Sequence, residues 1–476
     1  MRNALTSALS TLIAAAALAS VAACTPERSP DDAYHGYEIT WDDCSDERRD
    51  NLSDTVRCGT MTLPVDWSRP SGDTFTTHVY RQAADGPRRG TIMSFPSGPG
   101  STADVGLTEL ADLAPGYDFV GIDPRGVADT APVQCSASAI LKAPLVTPAD
   151  PAAFARTRDA RTAIAPSCVT EPASLRDHMD AYSNAKDAEA FRQALGGHRV
   201  VTTGTSYGTL LAFRYLELFG HHAAGAVLDG VMNPGEDPVS FQTVAARGDQ
   251  AGFDEFAAWC RTDRRCTVPH RDAARTLATA RRVADRGLIP GVDAMGRRWA
   301  GAGVLAEVQT SIGNDDFPAA ARTLAELAAR RNPIRDHGTA IAEGTLLPYP
   351  DVIVCSDFDL GIRDADTARR TAAAAARGNA QIPYSTNAYA YSVVCSGAPH
   401  PAESAANPVT LGGDVSVMLL SHRIDTATPI AWAQRVERAL GGRARHLVVD
   451  GVGHGGSIRD PAVRAAVTDY LHEAAV

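Results

Sequence analysis

Through the first half of the chain, short apolar runs rich in β-branched residues alternate with longer stretches whose apolar residues recur at helical spacing. The runs TTHVYRQ (76–82), GTIMSF (90–95), YDFVGID (117–123), HRVVTTG (198–204) and AGAVLDG (224–230) have strand length and end in turn residues. Between the third and fourth, SNAKDAEAFRQALGG (183–197) carries polar start signals, helical spacing and a Gly-Gly stop. This alternation predicts a mostly parallel sheet covered by helices. After NPGEDP (233–238) the pattern changes to Ala- and Arg-rich helical stretches such as RDAARTLATARRVADRG and DFPAAARTLAELAARR, with few strand runs until about residue 405. DVSVMLLS and RHLVVDG then restore strand character, with helical patterns at PIAWAQRVERALGG and DPAVRAAVTDYLHEAA. The fold class expected is therefore α/β, a mostly parallel sheet flanked by helices, interrupted by a large helical insertion.

The length of 476 residues fits one enlarged α/β domain carrying that insertion. A charged fraction of 21% and a hydrophobic fraction of 44% are those of a globular protein. The formal net charge of −11, with no basic run, argues against a nucleic-acid partner, because phosphate binding needs clustered Lys and Arg. The N-terminal MRNALTSALSTLIAAAALASVAAC reads as a secretory signal: Arg2, an apolar stretch, then small residues up to Cys24. Its end, VAAC, resembles the lipobox of bacterial lipoproteins, which implies a lipid anchor at Cys24 and contact with a membrane surface. The polar, proline-containing TPERSPDDAYHG that follows suits a tether. The expected division is a signal peptide over 1–23, lipidated N-terminus and tether over 24–40, core over 41–235, helical lid over 236–404, and core resumed over 405–476.

Setting Cys24 aside leaves eight cysteines, an even number in a chain that reads as exported. Sequence neighbours pair as Cys44 with Cys58, Cys135 with Cys168, Cys260 with Cys266, and Cys355 with Cys395, although eight cysteines allow about 105 pairings. No CxxC pair and no histidine at ligand spacing supports zinc, so no metal and no cofactor is expected.

The chemistry starts at VVTTGTSYGT (200–209). A nucleophilic serine must stand clear of its backbone, and a sharp strand-to-helix turn achieves this if the residues two before and two after are small. Gly204 and Gly208 meet that G-x-S-x-G condition around Ser206, between a strand-like run and the helical LLAFRYLELF. The first free N–H of the following helix, that of Tyr207, is the expected oxyanion donor. A second is expected from the loop after GTIMSF, PSGPGSTADVG, at Ser97. Serine needs a base and an acid to orient that base. In this α/β-hydrolase arrangement both follow the nucleophile on late strand-end loops. His454 lies in the glycine-lined VVDGVGHGGS, and Asp425 in LLSHRIDTATP. Asp229, ending the strand after the nucleophile helix, and Asp450, close to His454, are rival acids. His221, His222, His446 and His472 fall at helix ends, on a strand and in the last helix, where packing or solvation explains them.

The ordered set CGTMTLPVDW, PSGPG, GIDPRGVADTAPVQC, GTSYG, LDGVMNP, VIVCSD, IDTATP and GVGHG resembles the secreted tripeptidyl aminopeptidases, α/β-hydrolases related to the prolyl aminopeptidases. The resemblance implies a helical lid, short peptide substrates cleaved near a free N-terminus, Ser206 as nucleophile, Asp425 as acid and His454 as base. It departs from the family at Ser97, where relatives have glycine, and at VADT after DPRG; a serine at position 97 would be strained if a positive φ were required there. Arg125 is expected to anchor its loop by ion pairing. An aminopeptidase needs a carboxylate for the terminal ammonium, and VIVCSDFD offers Asp357, with Asp359 beside it. Two other functions share these features: hydrolysis of an ester, lactone or natural-product amide with the same triad, and peptide binding by a surface lipoprotein that has lost catalysis. The oligomeric state is not legible.

Overall fold

The computed structural model describes residues 33–45, 52, 55–103, 113–334, 342, 344–402 and 407–474. The expected signal peptide and Cys24 lie outside the described residues, as does the tether before residue 33.

Eleven strands are described: β1 (Thr40–Asp42), β2 (Val56–Pro64), β3 (Thr74–Gln82), β4 (Gly90–Phe95), β5 (Tyr117–Ile122), β6 (Gln134–Ser136), β7 (Val200–Thr205), β8 (Ala223–Asp229), β9 (Leu346–Pro348), β10 (Val417–Ile424) and β11 (Ala444–Val452). Nine of them form one sheet in the order β1-β2-β3-β5-β4-β7-β8-β10-β11. From β5 to β11 every pairing is parallel, whereas β1, β2 and β3 join antiparallel at the opposite edge. After β4 the chain turns one way to β5, and from β7 onward it builds the other way. The strand order therefore reverses between β4 and β7, which opens a crevice at their carboxyl ends.

Fourteen α-helices are described in chain order: α1 (Ala137–Lys142), α2 (Pro151–Arg156), α3 (Arg158–Thr162), α4 (Ala181–Ala194), α5 (Tyr207–Phe219), α6 (Pro238–Thr262), α7 (Ala273–Asp285), α8 (Gly301–Gly313), α9 (Phe317–Ala328), α10 (Val354–Asp357), α11 (Ala365–Ala376), α12 (Thr386–Cys395), α13 (Ile430–Leu440) and α14 (Pro461–Glu473). Several start on an aspartate whose side chain accepts first-turn N–H groups, as Asp237 does for Val239 and Ser240 with Pro238 next in line. The central strands are buried on both faces, which explains their continuous apolar reading.

The stretch between β8 and β10 is predominantly helical, and it divides in two. Phe253, Phe256, Leu277, Val304, Leu305 and Leu324 belong to a hydrophobic cluster of their own. Val352, Ile353, Val354, Phe358, Leu360 and Val393 are instead part of the main core. Within the same stretch β9 pairs antiparallel with β6, a strand the hydropathy pattern did not announce. Disulfide bonds join Cys44 to Cys58, Cys135 to Cys168, Cys260 to Cys266 and Cys355 to Cys395; the last ties α10 to α12.

Arg125 is fully buried after β5. Its guanidinium meets both oxygens of Asp187 at 2.6 and 2.7 Å and donates to the carbonyls of Pro64, Val65 and His178. A planar fork with five donors can satisfy this set, and it pins the loop after β5 to α4 and β2.

Candidate active site

Strand β7 ends at Thr205 and α5 begins at Tyr207, leaving Ser206 at the turn with φ 57° and ψ −123°. A non-glycine residue there is strained, and the surroundings hold it: the Ser206 N–H donates to the Asp229 carbonyl at 3.0 Å, and the Ser206 carbonyl accepts from Thr209. The flanking glycines are required by contact. A Cβ on Gly204 would come within 2.5 Å of the Gly208 carbonyl oxygen, and one on Gly208 would overlap the carbonyl of Phe95 at the end of β4. The elbow is thus pressed against the neighbouring strand.

That contact brings the loop of Ser97 beside the elbow. In the loop, positive φ falls on Gly98 and Gly100, at 120° each, and not on Ser97. The serine that replaces the expected glycine therefore carries no such strain. Its hydroxyl lies 3.2 Å from that of Ser101. Tyr207, as the first residue of α5, has an N–H with no carbonyl one turn back.

At the carboxyl end of β10, Asp425 is 1% exposed. One oxygen accepts the N–H groups of Ala427 and Thr428 at 2.8 Å each, and the other accepts the Thr428 hydroxyl at 2.9 Å. The His454 Nδ1 donates to this carboxylate, 2.9 Å from Oδ2 and 3.1 Å from Oδ1, with Thr428 Oγ1 at 3.2 Å from the same nitrogen. Burial works against a charged His454 ring, but the charge and hydrogen bond of Asp425, together with the charge of Asp229, outweigh it and raise the pKa.

The loop bearing His454 follows β11 and is fastened at several points. Asp229 accepts the Ser457 N–H at 2.8 Å and the Ser457 hydroxyl at 2.7 Å. The His422 Nε2 donates to the Gly455 carbonyl at 3.1 Å. Gly455 packs on Thr205, where a Cβ would lie 2.8 Å from the threonine methyl. The residues following His454 and preceding Ser206 are therefore in van der Waals contact. Among the described residues no hydrogen bond links the Ser206 hydroxyl to the His454 ring.

Asp229 thus carries structural hydrogen bonds, and Asp450 pairs on the surface with Arg423 at 2.6 Å. Asp357 is held inside the protein. It is 2% exposed, accepts the Tyr207 hydroxyl at 2.5 Å and the Ala181 N–H at 2.7 Å, and lines neither cavity that meets His454. Both its oxygens are occupied inside the protein, so as placed it fastens the side chain of Tyr207 rather than a free amine. Burial, reinforced by the charge of Asp180, pushes its carboxyl up to about 7. Asp359 is engaged by Arg363 and His400 at 2.6 and 2.9 Å.

Two cavities meet at His454. The smaller, about 230 Å³, is lined by Ser97, Ser101, Thr205 and Asp229. The larger, about 640 Å³, lies between the helical stretch and the sheet edge, with Asp249, Gln309, Thr386 and Thr426 in its wall. The sequence reading missed Thr428, Ser457, His422 and Asp249. The first two lie within three residues of Asp425 and His454, and only that proximity could have marked them. Among the described residues, no three or more His, Cys, Asp or Glu are grouped so as to hold a metal, and no helix is long and apolar enough to cross a membrane.

A parallel sheet with an elbow serine at its switch point and an Asp-His pair on the following strand ends defines a class. The chain belongs to the alpha/beta hydrolase fold family, whose model matches residues 91–375. Residues 382–476 match the model of a second family, described as TAP-like protein. The chain is similar to the tripeptidyl aminopeptidase of Streptomyces lividans, at 34% identity over 218 residues, 43% of this chain and 40% of that protein. It is also similar to the serine protease Hip1 of Mycobacterium tuberculosis, at 29% over 244 residues, 49% of this chain and 47% of that protein. A carboxylesterase B of Mycobacterium tuberculosis matches at 32% over 241 residues, 48% and 46% respectively. The chain thus spans less than half the length of each of these relatives.

Proposed function

We propose that this protein is an exported serine peptidase that cleaves short peptides from a free N-terminus through an acyl-enzyme. Ser206 Oγ attacks the scissile carbonyl carbon while its proton passes to His454 Nε2. Asp425 holds the Nδ1 proton and stabilises the imidazolium. The N–H groups of Tyr207 and Ser97 receive the oxyanion. His454 then gives the proton to the leaving amine, the C–N bond breaks, and water repeats the sequence to release the acid and restore Ser206. The approach of Ser206 to the ring is completed when substrate fills the site, as catalytic hydrogen bonds commonly tighten in the bound complex.

In this reading residues 236–404 act as the lid over the cleft. The leader over 1–23 directs export, and a diacylglycerol on Cys24 tethers the domain at a membrane surface. The observation that carries the proposal is the Asp425–His454 pair, standing at the same sheet edge as a serine held at positive φ. The named activities of the tripeptidyl aminopeptidase and the Hip1 relatives favour a peptide substrate. The carboxylesterase relative favours a second reading, ester hydrolysis by the same residues.

Fluorophosphonate labelling tests the machinery: the wild type is expected to be labelled, and Ser206→Ala to be unlabelled and at least about 10⁴-fold slower on peptides. Undiminished labelling of that variant overturns the assignment, and inertness of the wild type favours a non-catalytic peptide binder. Peptides with free amines are expected to turn over faster than N-acetylated peptides or p-nitrophenyl esters. The reverse order supports the esterase.

A further inference from the structure

Helix α6 lies directly on the loop that carries Asp425. Two glycines one turn apart make this possible: a Cβ on Gly248 would sit 2.9 Å from the Asp425 carbonyl oxygen, and one on Gly252 would sit 2.7 Å from the Thr426 methyl. Of the three residues between them, Asp249 enters the wall of the larger cavity that also contains His454. Asp249 is 5% exposed, and its Oδ2 is enclosed, with no hydrogen-bond partner and almost no accessible surface.

An acceptor left open in a buried site is costly unless something else fills it. Its neighbours cannot. Gln309 spends its oxygen on Thr386 and its amide N–H on the Tyr384 carbonyl. Gln250 is likewise engaged with Asp254, Gln381 and Ile382. The cavity wall also carries Asp315 and Asp460, with Arg459 beside them, so carboxylates outnumber guanidinium there. One open carboxylate oxygen is too few ligands for a metal, since calcium takes six to eight and zinc about four. It suits an organic ammonium, which needs a single strong acceptor and brings its own donors.

We propose that Asp249, its carboxyl turning from its enclosed position into the cavity, receives the α-ammonium of the peptide substrate and so fixes the free N-terminus in the cleft beside His454. This rests on the peptidase reading above and supplies the carboxylate that Asp357, with both oxygens taken, does not. Burial, with the charge of Asp425 nearby, pushes the Asp249 carboxyl up to about 8 despite a hydrogen bond from Ser385, as expected of an acid whose counter-ion arrives with the ligand.

The test compares wild type, Asp249→Asn and Asp249→Ser on alanine p-nitroanilides of one to three residues, each with a free or an acetylated amine, with fluorophosphonate labelling as a readout independent of the amine. In the wild type the free amine is expected to be preferred by about 100-fold in kcat/KM, the scale of a desolvated charge pair. Both variants are expected to lose most of that preference through KM while labelling within about twofold of wild type. A second measurement needs no variant: alanyl-alaninamide is expected to slow labelling of the wild type, and its N-acetyl form is not. An unchanged preference in labelled variants, or equal protection by the two amides, overturns the assignment of Asp249. A wild type with no preference for free amines overturns the aminopeptidase reading itself and this inference with it. Loss of labelling together with the preference assigns Asp249 to folding instead and overturns the proposal.

Discussion

The loop after β10 and the helix lying on it each bury an aspartate, and the two are treated in opposite ways. Asp425 is surrounded by donors: two backbone N–H groups, the Thr428 hydroxyl and the His454 ring. Asp249, on α6, keeps an oxygen with no partner. The first carboxylate is a charge whose solvation the fold supplies in advance, which is what orienting an imidazole requires. The second is a carboxyl that burial keeps protonated, because the fold supplies too few donors to hold its charge, and ionisation is favourable only if a cation comes to it. On the proposed roles, the contrast separates a group that serves every catalytic cycle from one that selects what enters.

The largest effect should come from disturbing the saturated side. Asp425→Asn keeps the size but offers an amide where His454 needs an acceptor, and kcat is expected to fall by about 10⁴-fold with fluorescence and urea unfolding still showing a folded protein. On the proposed mechanism, wild-type activity requires neutral His454, whose pKa is raised. The acid limb of kcat/KM should therefore lie above the ordinary histidine value of about 6.5, and in Asp425→Asn that limb should slide downward. A limb at the same pH in both would show that Asp425 does not set the ring's titration.

On the open side the change should reverse sign for stability. Asp249→Asn removes a carboxyl that must stay protonated to remain buried, so urea unfolding at pH 7 is expected to show a gain of about 1–3 kcal/mol. Because the folded-state pKa is raised to about 8, the native state holds a proton that the unfolded chain releases near the usual carboxylate value of about 4. Wild-type stability should therefore fall as pH rises between those values, and the variant's curve should be flatter across the same window. A parallel pair of curves would mean that Asp249 is solvated after all.

The smallest effect tests how much redundancy the saturated side contains. Thr428→Val deletes one donor to Asp425 while leaving its own backbone N–H, and kcat/KM on a peptide p-nitroanilide is expected to drop about tenfold. A loss as large as that of Asp425→Asn would make the threonine a full partner in orienting the ring.

Much of the sheet could be read in advance because β4, β5, β7 and β8 are buried on both faces and their sequences are continuously apolar. The edge was harder: β2 alternates buried and exposed positions through VRCGTMTLP, and β1 spans only three residues with little buried surface. Ser206, Asp425 and His454 stood out because strand-end loops with glycines have local signatures. Asp249 did not, since in AARGDQAGFDEF it looks like any acid on a helix. Its environment comes from Ser385, Asp425 and Gln309, segments far along the chain that only tertiary packing brings near. For the same reason, no local pattern reveals that Tyr207 and Ala181 claim the oxygens of Asp357.

Asp229 ends a strand in the middle of the chain, yet its carbonyl steadies the elbow and its carboxylate grips Ser457 beyond the histidine. Ser206 is thus made before β10 and β11, the strands that lead to Asp425 and His454. On the proposed mechanism, a growing chain in which β10 and β11 have not yet joined the sheet rim holds Ser206 without its base.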